Sequence, residues 1–250
     1  MDKNKKEIAP NEAKESKEID MKKLEEGKME NPMGFKVILR EFEKDKVATV
    51  AFWLIVAFLS FIIITSFFIS EDLVVKVDIF EKYARPSSES FWTWFGKDSG
   101  GRSVMALTIV GARNSVLIGF GVTVITTFVG LFVGLMVGYY GGKFDSVVMR
   151  IVDFISLLPV LMIIIVLVTM IKNFSAMSLV LIMSAFYWIG TARLVRSKAL
   201  SESRRDYVNA SKTMGTSDLK IMYGGILPNI SSILIVDSTL ALAGNIGIET

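Results

Sequence analysis

The stretch from Val47 to Phe68, VATVAFWLIVAFLSFIIITSFF, runs for 22 residues without a charge. At a rise of about 1.5 Å per residue, a helix of that length crosses a hydrocarbon core of roughly 30 Å. A helix that is apolar on every face belongs in lipid or in the middle of a large core, so this stretch decides the class: an all-α integral membrane protein. Working outward, four further stretches repeat the pattern. Asn114 to Gly142 has no charge and is rich in Gly, Val and Leu. Ile151 to Ile171 carries only Asp153, Phe174 to Ala192 carries none, and Ile226 to Ile248 carries only Asp237. The expected architecture is a polytopic helical bundle with five visible spans. Its divisions are a charged tail (1–46), a first span (47–69), an extracytoplasmic segment (70–113) and a transmembrane domain (114–250) with a cytoplasmic loop at 193–228.

Composition agrees. The chain is 52% hydrophobic over 250 residues, with a mean hydropathy of +0.50, well above the soluble average. Lys and Arg number 28 against 25 Asp and Glu, and a net charge of +3 supplies no global field that would point to nucleic acid. Cysteine and histidine are both absent, which removes disulfide frameworks, thiol nucleophiles, His-containing zinc sites and imidazole-based triads.

Charge is concentrated at the N-terminus, where Met1 to Lys46 holds twelve basic and twelve acidic residues. Such a segment cannot bury a core, and disorder is expected for Met1 to Asn31. Phe35, Val37, Ile38, Leu39 and Phe42, with Lys36, Arg40, Lys44 and Lys46 beside them, predict an interfacial amphipathic helix. The tail is too long and too acidic for a secretory signal. The excess of Lys and Arg on cytoplasmic loops orients the spans. The tail, the turn at Lys143 and the segment with Arg193, Arg196, Lys198, Arg204, Arg205, Lys212 and Lys220 fall inside; Ser70 to Arg113 and the turn at Lys172 fall outside.

Several local patterns carry more specific expectations. Gly130, Gly134 and Gly138 recur every fourth residue and mark one helix face that a neighbouring helix can approach closely, although glycine is also common in membrane helices at large. Gly96 to Ser103, GKDSGGRS, echoes a phosphate loop, but Arg102 stands in place of the lysine, no strand precedes it and it falls outside the cell. Asp206 to Met214 reads as a short helix that Gly215 ends in a left-handed cap, with Thr216, Ser217 or Asp218 capping a second helix that runs to Pro228. Tyr207, Val208, Ala210 and Met214 give the first helix a shape suited to a partner's groove. Intramembrane charges are functional candidates: Asp237 is placed beside a substrate path or paired with a neighbouring helix, and Asp153 is expected to pair with Arg150 one turn away.

At these residues a family resemblance emerges. Tyr207-Val208, Ala210, Gly215 and Ser217-Asp218, followed by Ile226-Leu227-Pro228-Asn229, resemble the coupling loop of bacterial ABC importer permeases, and specifically the C-type permease of the oligopeptide, dipeptide and nickel family. Gly96, Asp98, Gly101 and Arg102 are similar to that family's G-x-D-x-x-G-R motif, and Gly111-Ala112-Arg113 follows. Gly138-Tyr139-Tyr140-Gly141-Gly142 with Phe144-Asp145, Arg150, Asp153 and Pro159 is similar to its turn between the second and third spans. Trp188 with Ala192-Arg193-Leu194-Val195-Arg196 is similar to its approach to the coupling loop. The resemblance covers Phe35 to Thr250. It implies a type I importer fold and a non-catalytic, multi-pass subunit of the bacterial plasma membrane with a cytoplasmic N-terminus. It further implies a second homologous permease, two cytoplasmic ATPases that bind ATP and Mg, an extracytoplasmic peptide-binding protein, and no cofactor in this subunit. Carried over by position, the ATPase contacts are Asp206, Tyr207, Asn209, Ala210, Ser211, Gly215 and Asp218. The chain departs from the family at Asn209-Ala210-Ser211, where Glu-Ala-Ala is usual, and at Gly224-Gly225, where basic and His residues are usual. Five spans against the family's six are the pattern expected of a fragment, a truncated frame or half of a split subunit. An ion-driven transporter or channel is the alternative class, and would favour an inverted repeat of polar residues; a membrane enzyme would want paired carboxylates. Neither pattern is present.

Overall fold

A computed structural model describes residues 45–69, 72–172 and 174–249. The chain separates into two units, Met1–Thr49 and Val50–Thr250. Of the first, only Asp45 to Thr49 are described, and the charged tail and the expected interfacial helix lie outside the described residues. Asp45 Oδ1 accepts hydrogen bonds from the amides of Val47 and Ala48 at 2.9 and 3.2 Å. That satisfies two of the donors a helix start leaves free and begins α1, Lys46–Ser66.

Within the second unit, α1 buries only Ile62 and Ser66, while Trp53, Leu54, Ile55 and Phe58 are exposed. This is the surface of a helix that faces lipid on most sides. After the short α2, Asp72–Val75, two single 3-10 turns at Ile79–Glu81 and Phe91–Thr93 lead into α3, Val104–Tyr140. Ser103 caps α3 with a side-chain bond to the Ala106 amide at 3.1 Å. The helix therefore starts ten residues before Asn114, where the charge-free run begins, because the cap and not the polarity boundary sets its start.

Two glycines with positive φ, Gly141 at 62° and Gly142 at 60°, turn the chain from α3 into α4, Gly142–Ser156. Then comes α5, Val160–Met170. Here the structure corrects the expected third span. Ile151 to Ile171 is not one helix; α4 and α5 meet at a bend of 70°. Pro159 has no amide proton to give and pushes Leu158 out of helical geometry. The described residues hold four helices long and apolar enough to cross a membrane, or five if the bent pair counts as one span.

α6, Ala176–Glu202, runs along α3. It is followed by α7, Asp206–Thr213, then α8, Asp218–Ile221, a π-helical turn at Met222–Ile226, and α9, Leu227–Glu249. The expected break at Pro228 is absent: α8, the turn and α9 form one apolar stretch from Asp218 to Ile248. Pro228 cannot bond the carbonyl four residues back, and the wider turn absorbs that loss, with the Leu227 amide donating to the Met222 carbonyl. α9 packs on both α3 and α6. Asn245 Nδ2 donates to Thr123 Oγ1 at 3.0 Å, joining α9 to α3 between two buried residues. In an apolar medium such a bond is an efficient link, since no water competes for either group.

Candidate coupling surface and helix-packing seam

The three spaced glycines lie against α6. A Cβ on Gly130 would fall 2.8 Å from the Trp188 carbonyl oxygen, one on Gly134 2.5 Å from that of Ala192, and one on Gly138 2.6 Å from that of Arg196. The two four-residue periods run in step, so backbone meets backbone along about two turns, and dispersion is gained over that length. Below the seam, Leu135, Tyr139, Val195, Ala199, Val208, Ile221, Met222, Ile226 and Ile230 form one buried cluster.

Two ion pairs bind α4 across α6. Arg196 grips Asp145 with both Nε and Nη2, the latter 2.6 Å from Oδ2. Arg193 Nη2 reaches Asp153 Oδ1 at 2.7 Å and Ser156 Oγ at 2.8 Å. The expected partner of Asp153, Arg150, is displaced because a guanidinium arriving from α6 engages two acceptors at once. Asp145 is the more sheltered carboxylate, 13% exposed against 68% for Asp153. Arg196→Ala is therefore expected to cost about 1–3 kcal/mol, and Arg193→Ala about 1 kcal/mol or less. Thermal unfolding of the two variants in mild detergent checks the order.

α7 carries Asp206 in its first turn and Lys212 in its last, matching the helix dipole at both ends. Its end is well determined: the Gly215 amide donates to the Lys212 carbonyl and that of Thr216 to the Ser211 carbonyl, with Gly215 at φ +77°. This paired pattern requires the left-handed residue that glycine supplies without strain. A Cβ at Gly215 would meet nothing within 4 Å, so a substitution acts through the backbone alone. Gly215→Val is expected to place about 1–2 kcal/mol of local strain on the joint, read as a lower thermal midpoint in mild detergent.

The remaining predicted residues divide by face. Val208 is fully buried and Tyr207 half-buried, turned toward the spanning helices, whereas Asp206, Asn209, Ala210 and Met214 are exposed. Tyr207 and Val208 are thus anchors, not groove-fillers. Ser211 donates to the Tyr207 carbonyl at 2.8 Å. The Tyr207 hydroxyl donates to Glu202 Oε2 at 3.0 Å and accepts from Asn229 Nδ2 at 3.1 Å. Burial, with the neighbouring Glu202 carboxylate, pushes its pKa up. Asp218 accepts from the Tyr139 hydroxyl at 2.6 Å, and Lys212 Nζ sits 4.6 Å from the centre of the Tyr139 ring. Tyr139 and Asn229 stand in the motifs quoted above without a role assigned to either, and Glu202 carried no signal beyond its charge; only the packing joins the three at this site. Asp237, in α9, accepts a hydrogen bond from Thr191 of α6 at 2.8 Å and is half-buried.

In the loop from Gly96 to Ser103, Asp98 Oδ1 accepts from the amides of Gly100 and Arg102 at 2.8 and 2.9 Å, and Oδ2 from Arg102 Nε and Nη2 at 2.9 and 2.6 Å. The amides that a phosphate would need are already turned onto the loop's own carboxylate. The Arg102 side chain foremost, then its amide, holds the Asp98 pKa down at about 2 against an ordinary 3.8. A depressed pKa means that the loop's stabilisation is complete above about pH 4 and is lost as pH falls through 2. The fluorescence of Trp92, whose carbonyl accepts from Ser103 Oγ, is expected to change over that window with Trp53, Trp94 and Trp188 replaced by Phe. Asp98→Asn is expected to abolish the change.

A bundle of long apolar helices joined by close backbone seams, with one short helix outside the spans, defines an all-α polytopic membrane protein. Residues 130–250 match the family model for the binding-protein-dependent transport system inner membrane component. Over 213 residues the chain is 46% identical to the oligopeptide transport system permease protein OppC of Lactococcus lactis subsp. lactis (strain IL1403), covering 85% of this chain and 72% of that protein. It is 31% identical over 232 residues to the dipeptide transport system permease protein DppC of Lactococcus lactis subsp. cremoris (strain MG1363), covering 79% of this chain and 67% of that one. The dipeptide transport system permease protein DppC of Bacillus subtilis (strain 168) is 32% identical, covering 84% and 64%. The chain belongs to this family of binding-protein-dependent ABC importer permeases, as a multi-pass, non-catalytic subunit of the plasma membrane. The comparisons give no support to the ion-driven alternative.

Proposed function

We propose that the chain is the permease subunit through which an ATP-driven importer takes up peptides, forming the path with a second, homologous permease. Two cytoplasmic ATPases, which bind the ATP and Mg, dock on the coupling loops of the two permeases, in this chain on α7 and its Gly215 joint; an extracytoplasmic protein delivers the peptide. The N-terminal tail is cytoplasmic. Asp237 lies beside the translocation path, where Thr191 holds its carboxylate.

The observation that carries this reading is the division of α7 into two faces. Tyr207 and Val208 are fixed against the spanning helices, and Asp206, Asn209 and Ala210 are left free on the opposite side. A partner that moves those three residues moves the bundle behind them, and closure of an ATPase dimer would shift the bundle between inward- and outward-facing states. The test is to tag the chain in its native cells, extract it in mild detergent and identify by mass spectrometry what accompanies it. Two P-loop ATPases and a second permease are expected. Recovery of the chain without an ATPase, under conditions that keep other importers intact, would overturn the reading.

A further inference from the structure

Between α6 and α9 the backbone contains three weak points: the link at residues 203–205, the turn at 214–217 with Gly215 at φ +77°, and the π-helical turn containing Gly224 and Gly225. A helix pushed from outside transmits motion only if such joints do not bend. Two phenol groups cross them. Tyr207 of α7 bonds Glu202 at the end of α6 and Asn229 at the start of α9, and so spans all three joints from a single oxygen. Tyr139, 6% exposed at the end of α3, bonds Asp218 of α8 and lies beneath Lys212 of α7, closing the Gly215 joint from the other side.

We propose that Tyr139 and Tyr207 are positioning residues that lock α7 to α3, α6 and α9, so that displacement of α7 becomes displacement of the membrane helices instead of bending at the joints. The proposal rests on the reading of α7 as the ATPase-docking helix. Neither hydroxyl touches the exposed face of α7, so their removal leaves docking in place and affects only what docking moves. Replacement by Phe keeps ring, volume and burial, and deletes one oxygen each.

The test uses the complete importer purified through a tag on this chain and held in lipid nanodiscs. The chain has no cysteine, so spin labels enter at Thr213→Cys on α7 and Leu240→Cys on α9, with single-label samples as controls for the partner subunits. Distances are read without nucleotide and with ATP plus vanadate. In the otherwise native chain one narrow distance is expected to persist in both states. In the Tyr139→Phe, Tyr207→Phe double variant, the expected result is a redistribution of about 2- to 30-fold from that distance to others, the range that side-chain coupling networks carry. The ATPases remain bound at native levels. Asp218→Ala, which removes one acceptor and touches neither ring, is expected to give a smaller shift of the same kind. An unchanged distance in the double variant would overturn the clamp, as would loss of assembly, which would make the phenols fold-forming. If no ATPase accompanies the unsubstituted chain, it is the underlying reading that fails.

Discussion

Gly134→Leu is expected to leave no stable bundle after extraction in mild detergent. At that position even a Cβ would lie 2.5 Å from the Ala192 carbonyl oxygen and 2.8 Å from the Val195 Cβ. The first obstacle is backbone, which no rotamer change can move. Forcing an extra methylene into a packed core costs about 1–3 kcal/mol, and here four carbons enter where none fits. α3 and α6 must separate along the seam, and the cluster of Leu135, Val195 and Ala199 beneath it loses its contacts. A loss above about 4 kcal/mol follows, in the range reserved for disruption of a core. Gly190→Leu on α6 is the matched control, because a Cβ there meets nothing within 4 Å. Size-exclusion profiles and thermal midpoints separate the two; similar behaviour would show that the glycine seam does not hold the fold.

Ala210→Arg is expected to abolish ATPase association while the chain inserts and folds normally. Ala210 is exposed on the outer face of α7, and surface substitutions in a helix usually change stability by no more than about 0.5 kcal/mol. At a protein interface the same change is large: a small residue that permits close approach becomes a long, charged one that must be desolvated or displaced. A loss of at least about 2.7 kcal/mol, or 100-fold in affinity, is the expected scale. Quantitative recovery of the ATPases per inserted chain measures it. Undiminished recovery together with normal peptide uptake would remove α7 from the coupling role.

The contrast between these two substitutions shows where sequence was informative. Charge-free length fixed the membrane class, and the four-residue glycine period pointed to the seam face, because both depend only on helix geometry that neighbours along the chain share. The short helix at Asp206 and its stop at Gly215 were legible for the same reason: dipole-matched ends and a left-handed cap are local devices.

Other features depended on which distant groups arrived together. Asp153 has Arg150 one turn away, yet Arg193, forty residues on, takes it, since a guanidinium from a packed neighbour satisfies Ser156 as well. Pro159 divides a stretch whose hydropathy alone is continuous. Tyr139 and Tyr207 look in sequence like two more aromatics at helix ends, and only packing puts their hydroxyls on Asp218, Glu202 and Asn229. The sequence alone thus determined a helical membrane protein, its helix-packing face and the short capped helix at Asp206–Thr213, through periodicity and local capping. Tertiary structure alone decided the broken third span, the partners of Asp145, Asp153 and Asp237, and the bonds across the joints between α6 and α9, because those depend on distances between residues that the chain order leaves open.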